Sequence, residues 1–285
     1  MKSTRVAVLG AGTMGHGIAF VAAVAGCDVV LSDAHAEPLI QAMSKIKLLL
    51  DGAVMRGKLL DKDRGAVERR LHADAVVASA VREADVVIEA VVEDLAVKQH
   101  LFADVERAAP GDALLASNTS ALSIGAIASA LAQPDRLVGM HFFNPVHVMR
   151  LVEVVTHGPR SLRAAERAVE FARRLNKEPI VVRDSPGFAS SRLGIVLGLE
   201  AMRMLEQGVA SAEDLDKAME LGYNHPMGPL KLTDLVGLDV RLAIAEYLHK
   251  TLDGSQYEPP QILKDKVKQG ELGKKTGKGF YSWSD

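Results

Sequence analysis

The sequence contains few of the features that mark several large classes of protein. It has one cysteine, Cys27, among 285 residues, which excludes an internal disulfide and a cysteine-rich zinc site and favours a reducing compartment such as the cytoplasm. Its 34 basic and 36 acidic residues nearly balance, which argues against nucleic-acid and membrane partners. No uncharged apolar run approaches the ~20 residues of a membrane span. A strand-like pattern beginning at Arg5 leaves no room for a signal or transit peptide.

Short apolar runs alternate with helix-length segments over the first part of the chain. Non-alternating runs of this kind suit the central strands of a parallel sheet that is covered by helices on both faces. The runs lie at 5–10, 28–33, 85–89, 113–117, 136–140, 151–155 and 179–182. They predict an α/β fold with a Rossmann-type, doubly wound sheet.

Helical periodicity replaces these runs in the remainder of the chain. The segment R-D-S-P-G-F at 183–188 contains a proline and a glycine that would end a strand and turn the chain. We therefore expect a first domain over 1–184 and an all-helical C-terminal domain over 185–285. A long helical pattern from about 37 to 70, with glycines between its halves, predicts a helical hairpin that projects from the sheet.

A glycine-rich motif, G-A-G-T-M-G, directly follows the first predicted strand. Such glycines allow a tight turn and a close approach of the backbone to a pyrophosphate, which the helix N-terminus attracts. Asp33 ends the second predicted strand, about 20 residues further on, where an acid accepts hydrogen bonds from an adenosine ribose and repels a 2′-phosphate. The residues predicted to bind NAD, rather than NADP, are Gly10, Ala11, Gly12, Thr13, Met14, Gly15 and Asp33.

Two candidate catalytic residues lie in or next to later apolar runs. His141 follows R-L-V-G-M directly, at the edge where open parallel sheets bind ligands. Glu153 lies within L-V-E-V-V, where a buried carboxylate needs a partner such as an imidazole. Because histidine commonly exchanges protons near neutral pH, the pair could serve an NAD enzyme that acts on an alcohol or ketone. The alternative is a His and a Glu that merely flank two strands at the surface.

Four small polar residues, S-N-T-S at 117–120, follow another apolar run. Such residues most often form only an N-cap and a turn. Their place at a strand end nevertheless makes Ser120 a candidate to bind a substrate oxygen. The G-x-S-x-G motif of serine hydrolases and the H-E-x-x-H motif of zinc peptidases are missing, so neither hydrolysis nor a metal site is expected.

Over essentially its whole length the chain resembles the short-chain L-3-hydroxyacyl-CoA dehydrogenases, including the bacterial 3-hydroxybutyryl-CoA dehydrogenases. The similar stretches include V-L-G-A-G-T-M-G-H-G-I-A, L-L-A-S-N-T-S-A-L, D-S-P-G-F and the terminal G-K-K-T-G-K-G-F-Y. The most specific is H-F-F-N-P-V-H-V-M-R-L-V-E-V-V. The resemblance implies a homodimer, formed through the helical domain, that interconverts L-3-hydroxyacyl-CoA and 3-ketoacyl-CoA with NAD in fatty acid metabolism.

The resemblance also implies roles for individual residues, with His141 as the acid/base and Glu153 as its paired carboxylate. The positions that match functional residues of the family are His141, Glu153 and Ser120 for catalysis, Ser120, Asn144, Arg56 and Lys58 for the substrate, and Glu93, Lys98, Ser120, Asn144 and Lys275 for the cofactor. One departure occurs in P-G-F-A-S-S-R, where Ser191 replaces an asparagine of the substrate site. This change bears on kinetics and substrate preference more than on the reaction class.

Two other functions stay open at this point. A related 3-hydroxyacid dehydrogenase that acts on a free acid would use the same His–Glu chemistry, although the basic residues of the hairpin favour a CoA ester. A binding protein that keeps the NAD site without turnover is the second alternative. The joint presence of Ser120, His141, Asn144 and Glu153 argues against it.

Overall fold

One continuous sheet organises the first part of the protein in the computed structural model, which describes residues 3–284. Its strands are β1 (Arg5–Leu9), β2 (Asp28–Ser32), β3 (Leu71–Asp74), β4 (Val86–Glu89), β5 (Leu114–Ser117), β6 (Leu137–Phe142), β7 (Leu151–Thr156) and β8 (Glu178–Arg183). Their order across the sheet is β3-β2-β1-β4-β5-β6-β7-β8. Because β4 lies beside β1 rather than beside β3, the order of strands switches direction between β1 and β4, where open α/β sheets bind their ligands.

Helices connect these strands and make up the rest of the chain. Those of the first part are α1 (Thr13–Val24), α2 (Ala36–Met55), α3 (Asp61–Glu68), α4 (Val77–Val81), α5 (Leu95–Ala108), α6 (Ile124–Ala128) and α7 (Leu162–Arg174). Those of the second part are α8 (Ser190–Glu206), α9 (Ala212–Gly222), α10 (Pro229–Val236), α11 (Leu238–Leu252) and α12 (Gln261–Lys268). The chain divides into two compact units between Ser185 and Pro186. The predicted fold class, a Rossmann-type sheet followed by a helical domain, is confirmed.

The central strands are buried over their whole length. Every residue of β4, β5 and β6 is buried, as the continuous apolar runs predicted for strands that are covered on both faces. Strand β6 extends through His141 to Phe142, whereas the predicted run ends at residue 140. His141 is therefore a residue of the strand and not of the loop that follows it.

Strands β7 and β8 differ in direction from the rest of the sheet, which the sequence did not indicate. Strand β7 pairs antiparallel with β6, and β8 pairs parallel with β7. The physical reason is the short connection over 143–150, since a parallel return would need a crossover of about a dozen residues or more. The reversal places His141 directly opposite Glu153 in the register of the two strands.

The segment predicted to form a hairpin contains α2 and α3, joined by a turn over 56–60. On α2, Leu48 and Met55 are exposed by 69% and 86%. Edge strand β3, which follows, had no counterpart among the predicted strands. Of its four residues only Leu71 is buried, so the strand lacks the hydrophobic pattern on which prediction depends.

Two buried aspartates hold the helical unit together around its apolar core. Asp216 of α9 accepts hydrogen bonds from Leu230 N (2.8 Å) and Lys231 N (2.9 Å) and so satisfies the first turn of α10. Asp234 accepts bonds from Phe280 N (2.8 Å), Tyr281 N (2.9 Å) and the Trp283 indole nitrogen (2.8 Å). Asp234 therefore ties the last described segment of the chain to α10.

We expect Asp234→Ala to lower the free energy of unfolding by at least about 3 kcal/mol, because three donors would lose a buried carboxylate acceptor. Urea unfolding of the full chain measures this loss. The matched control is Asp265→Ala on α12, whose exposed carboxylate accepts only from Gln261. A surface change of this kind is expected to alter stability by less than about 0.5 kcal/mol. Equal effects of the two substitutions would contradict the role of Asp234.

Candidate active site

The glycine motif forms the turn between β1 and α1. Gly10 has a φ of 103°, and a Cβ there would lie 2.5 Å from the carbonyl oxygen of Ala90. A Cβ on Gly15 would lie 1.7 Å from the carbonyl oxygen of Gly10. Both positions therefore require glycine for the turn itself. A Cβ on Gly12 would meet nothing within 4 Å, so its surface faces open space of the kind that a pyrophosphate needs.

The first turn of α1 is suited to bind an anion. Its N-cap, Gly12, provides no side-chain hydrogen bond, and no acidic residue lies in the first turn. No side chain caps the backbone amides of this turn, and the helix dipole favours negative charge at this end. The chain in this region thus fits a dinucleotide, with its pyrophosphate on the amides of α1.

Asp33 follows β2 and anchors the glycine turn. Its Oδ2 accepts a hydrogen bond from Ala11 N (2.8 Å), and its Oδ1 accepts one from His35 N (3.1 Å). Sequence reasoning assigned this carboxylate to the cofactor alone. The bond to Ala11 shows that it also holds the turn in place.

Three of the predicted site residues meet beyond the ends of β4 and β5. Ser120 donates to Glu93 Oε1 through its backbone N (2.9 Å) and its Oγ (3.3 Å). The ammonium group of Lys98 lies 3.4 Å from Glu93 Oε2. Helix α5 places Lys98, because Asp94 caps that helix by accepting from Val97 N (2.9 Å).

Sequence reasoning missed the buried residues beneath this group. Lys98 also donates to Glu89 Oε1, and Ser117 Oγ donates to Glu89 Oε2 (2.6 Å). Thr119 donates its hydroxyl to Glu93 Oε1 (2.6 Å). A signal for Glu89 was present, since an acid ends the apolar run V-V-I-E, and the burial argument applied to Glu153, inside L-V-E-V-V, applies to it as well.

His141 and Glu153 form a buried hydrogen-bonded pair across β6 and β7. His141 Nδ1 lies 2.9 Å from Glu153 Oε2, and the two residues are exposed by 7% and 0%. A carboxylate accepts only, so the pair assigns the proton to Nδ1 when the ring is neutral. The surface arrangement that sequence reasoning left open is therefore wrong for these two residues.

The loops that flank His141 are tied to neighbouring elements. Asn118 Oδ1 accepts from Phe142 N (2.9 Å), which joins the 117–120 segment to the end of β6. Asn144 lies two residues beyond that strand and is exposed, and its peptide bond to Pro145 is cis. The structure thus brings Asn144 and Ser120 to the carboxyl ends of adjacent strands.

Arg56 and Lys58 line a basic cleft of about 580 Å³, which also includes His147, Arg150, Arg174 and Lys177. Burial lowers the pKa of the His147 imidazole, and the positive charges of Arg56, Lys177 and Lys58 lower it further. Burial likewise lowers the pKa of Lys177, whose Nζ donates to the carbonyl oxygens of Val146 and of Met149 (2.8 Å). The concentration of positive charge makes this cleft suited to phosphate groups.

Two predicted site residues belong to the helical unit. Ser191 lies in the first turn of α8 and is half-buried. Lys275 Nζ donates to both carboxylate oxygens of Asp239, at 2.6 and 2.7 Å. In the described part of the chain, no cluster of His, Cys, Asp and Glu could hold a metal ion. No helix there is long and apolar enough to cross a membrane.

Comparison with known proteins matches both units to one family. Residues 5–185 match the model "3-hydroxyacyl-CoA dehydrogenase, NAD binding domain", and residues 187–283 match the C-terminal domain of the same family. A 3-hydroxybutyryl-CoA dehydrogenase of Mycobacterium tuberculosis is 44% identical over 282 residues, which cover 98% of each chain. The human mitochondrial hydroxyacyl-coenzyme A dehydrogenase is 41% identical, covering 98% of this chain and 90% of its own.

A solved structure has the same fold over its full length. The (S)-3-hydroxybutyryl-CoA dehydrogenase from Ralstonia eutropha superposes with a TM-score of 0.94 at 36% identity, covering all of both chains. The glycine turn, the Asp33 anchor and these matches agree on NAD as the cofactor. The chain belongs to the 3-hydroxyacyl-CoA dehydrogenase family and is an NAD-dependent oxidoreductase.

Proposed function

We propose that this protein interconverts L-3-hydroxyacyl-CoA and 3-ketoacyl-CoA esters, with 3-hydroxybutyryl-CoA or a similar short ester as the substrate. The observation that carries the proposal is the buried bond between His141 Nδ1 and Glu153 Oε2 (2.9 Å). The names of the relatives from Mycobacterium tuberculosis and Ralstonia eutropha support the short ester. Consumption of NADH with acetoacetyl-CoA, beside free 3-keto acids, tests the substrate class and separates an enzyme from a binding protein.

The residues of the site have distinct tasks in the oxidation direction. Bound NAD would supply the acceptor for the hydride from C3 of the substrate. His141 removes the proton of the 3-hydroxyl group through Nε2, because Nδ1 is engaged with Glu153. The Glu153 carboxylate keeps the ring oriented and stabilises the imidazolium that forms. Ser120 and Asn144 hold the substrate oxygen.

We assign the cofactor contacts to residues of the first unit and, on its match to the family's terminal motif alone, to Lys275. The proposed contacts come from Gly10, Ala11, Gly12, Thr13, Met14, Gly15, Asp33, Glu93, Lys98, Ser120, Asn144 and Lys275. We assign Ser191, which replaces the family's asparagine, to the substrate site. Its hydroxyl can replace one hydrogen bond of the family's asparagine, so turnover is retained.

The basic cleft favours a CoA ester over a free 3-hydroxy acid. Coenzyme A carries phosphate groups, which a free acid does not provide. Its basic lining includes Arg56 and Lys58 from the turn after α2, Arg150 from the loop before β7 and Lys177 from the turn before β8. We assign the phosphates of the substrate to this cleft, with Arg56 as a principal contact.

We further propose a cytoplasmic homodimer in which the two domains of each chain have different roles. Residues 1–184 bind NAD, the hairpin at about 37–70 contacts coenzyme A, and residues 185–285 contribute to the substrate site and to dimer contacts. Support for the location comes from the single cysteine, Cys27, which is buried and free.

Replacing His141 by alanine is expected to lower kcat ~100- to 10,000-fold, as is typical when a general acid/base is lost. NADH affinity should stay within a few-fold of the wild type, since the ring is assigned to the substrate. Glu153→Gln should likewise reduce mainly kcat. Steady-state kinetics and NADH fluorescence titration measure the two quantities. Full activity of Glu153→Gln across the pH range would contradict the pair.

Replacing Arg56 by alanine is expected to raise the KM for acetoacetyl-CoA about tenfold with little change in kcat, because a phosphate contact is made equally in the ground and transition states. The KM for the acetoacetyl thioester of pantetheine, which lacks the phosphates, should not change. Arg163→Ala, at an exposed position of α7 away from the cleft, is the control. An equal rise in KM for both thioesters would contradict the assignment.

Exposed apolar side chains on the helical unit lead us to expect a dimer at micromolar concentration. Leu193, Leu221 and Tyr223 are exposed by 73%, 84% and 74%, and such residues are commonly covered in oligomers. Sedimentation equilibrium of the full chain should give twice the mass of one chain. A monomer under these conditions would contradict the expectation.

A further inference from the structure

Glu89 is a fully buried carboxylate at the end of β4. It pairs in register with Leu9 of β1 and with Ser117 of β5, so it lies between the glycine turn and the segment that carries Ser120. Glu89, Lys98 and Ser117 are exposed by 0%, 1% and 0%. A charged residue is rarely fully buried unless an ion pair and hydrogen bonds compensate its charge.

The Glu89 carboxylate accepts hydrogen bonds from a backbone amide, an ammonium group and a hydroxyl group. Oε1 accepts from Val91 N (2.7 Å) and from the Lys98 ammonium group. Oε2 accepts from Ser117 Oγ (2.6 Å). The carboxylate therefore joins a helix, a loop and a strand end that are distant in sequence.

Two chains of contacts run from Glu89 to residues assigned to the cofactor. The first passes through Lys98, which also lies 3.4 Å from Glu93 Oε2. The second passes through Ser117, whose Oγ accepts from Thr119 N (3.3 Å). Both end at Glu93, since Thr119 Oγ1 donates to its Oε1 (2.6 Å). Glu93 is in turn the acceptor for the backbone of Ser120 (2.9 Å).

The charges explain why Glu89 is needed for this arrangement. Lys98 has two carboxylate neighbours, the buried Glu89 and the partly exposed Glu93. Without the charge on Glu89, the ammonium group would keep only Glu93 as an ionic partner. The Glu93 carboxylate would then be drawn toward Lys98 and away from Ser120.

We propose that Glu89 is a positioning residue of the cofactor site. It does not touch substrate or cofactor. It sets the distance between Lys98 and Glu93 and so fixes Glu93 and Ser120 in the positions that NAD requires. The proposal rests on the roles given above to Glu93, Lys98 and Ser120.

The test compares Glu89→Gln with a matched control on the same strand run. Asp85 precedes β4, and its carboxylate accepts from Arg5 N (2.8 Å) at the opposite end of the strand. NADH fluorescence titration of Glu89→Gln should show a dissociation constant raised about tenfold, whereas Asp85→Asn should bind within twofold of the wild type. The pH profile of kcat should keep its shape in both variants, because the His141–Glu153 pair keeps its own hydrogen bond.

A purely structural role for Glu89 predicts a different outcome. Glu89→Gln would then lower the urea midpoint while binding NADH as the wild type does, and that result would overturn the proposal. If Glu89→Gln does not fold, Ser117→Ala replaces it, because this change removes one neutral bond and leaves the ion pair intact. Ser117→Ala should weaken NADH binding at least threefold, and wild-type affinity would overturn the proposal.

The NADH readout keeps this test separate from that of the overall function. A wild-type protein that binds NADH but does not turn over acetoacetyl-CoA would contradict the proposed reaction. It would leave the effect of Glu89→Gln on NADH affinity to be measured as before.

Discussion

The burial of carboxylates within an apolar sheet is the constraint on which this site depends. Glu89 and Glu153 are both fully buried, on β4 and β7, and removal of a carboxylate from water costs several kcal/mol unless its oxygens find partners. For Glu153 the partner is the imidazole directly opposite on β6. For Glu89 the partners are an ammonium group, a hydroxyl and a backbone amide. The hydrogen bonds of these two carboxylates thus connect the strands, the helix and the loop that carry the proposed catalytic and cofactor-binding groups.

Much of the first unit could be predicted because its strands are continuous apolar runs and its first turn has a recognisable glycine pattern. The direction of β7 could not be predicted, since L-V-E-V-V has the same hydrophobic pattern whether the strand runs parallel or antiparallel. The cost of burying a charge applies in either direction and predicts a partner for Glu153, and the structure places His141 Nδ1 2.9 Å from its Oε2. Glu89 was overlooked although the same argument applied to it. Strand β3 was missed for the opposite reason, since it buries only Leu71.

The basic cleft shows a further limit of reasoning along the chain. The family resemblance assigns Arg56 and Lys58, in the hairpin, to coenzyme A, whereas Arg150 and Lys177 come from the loop before β7 and the turn before β8. Their proximity follows from sheet order and not from spacing in sequence. Lys177 adds a feature that no periodicity reveals, because its buried ammonium group binds carbonyl oxygens of the 146–149 segment. The segment that lines the cleft is thereby held by one of the charges that the cleft contains.

Asp33 supports the glycine turn in addition to the role in cofactor recognition that we propose for it. The carboxylate that we assign to the ribose of NAD also accepts a hydrogen bond from the amide of Ala11 and so supports the glycine turn, which we assign to the pyrophosphate. A residue substituted for Asp33 to bind a larger, more negative nucleotide must also accept the hydrogen bond from Ala11 N. Otherwise the backbone amides of the glycine turn lose their alignment. Selection for a different cofactor would therefore act on two properties at once, recognition and loop order. Compensating changes are to be sought in the turn itself, next to Ala11, before they are sought around the ribose.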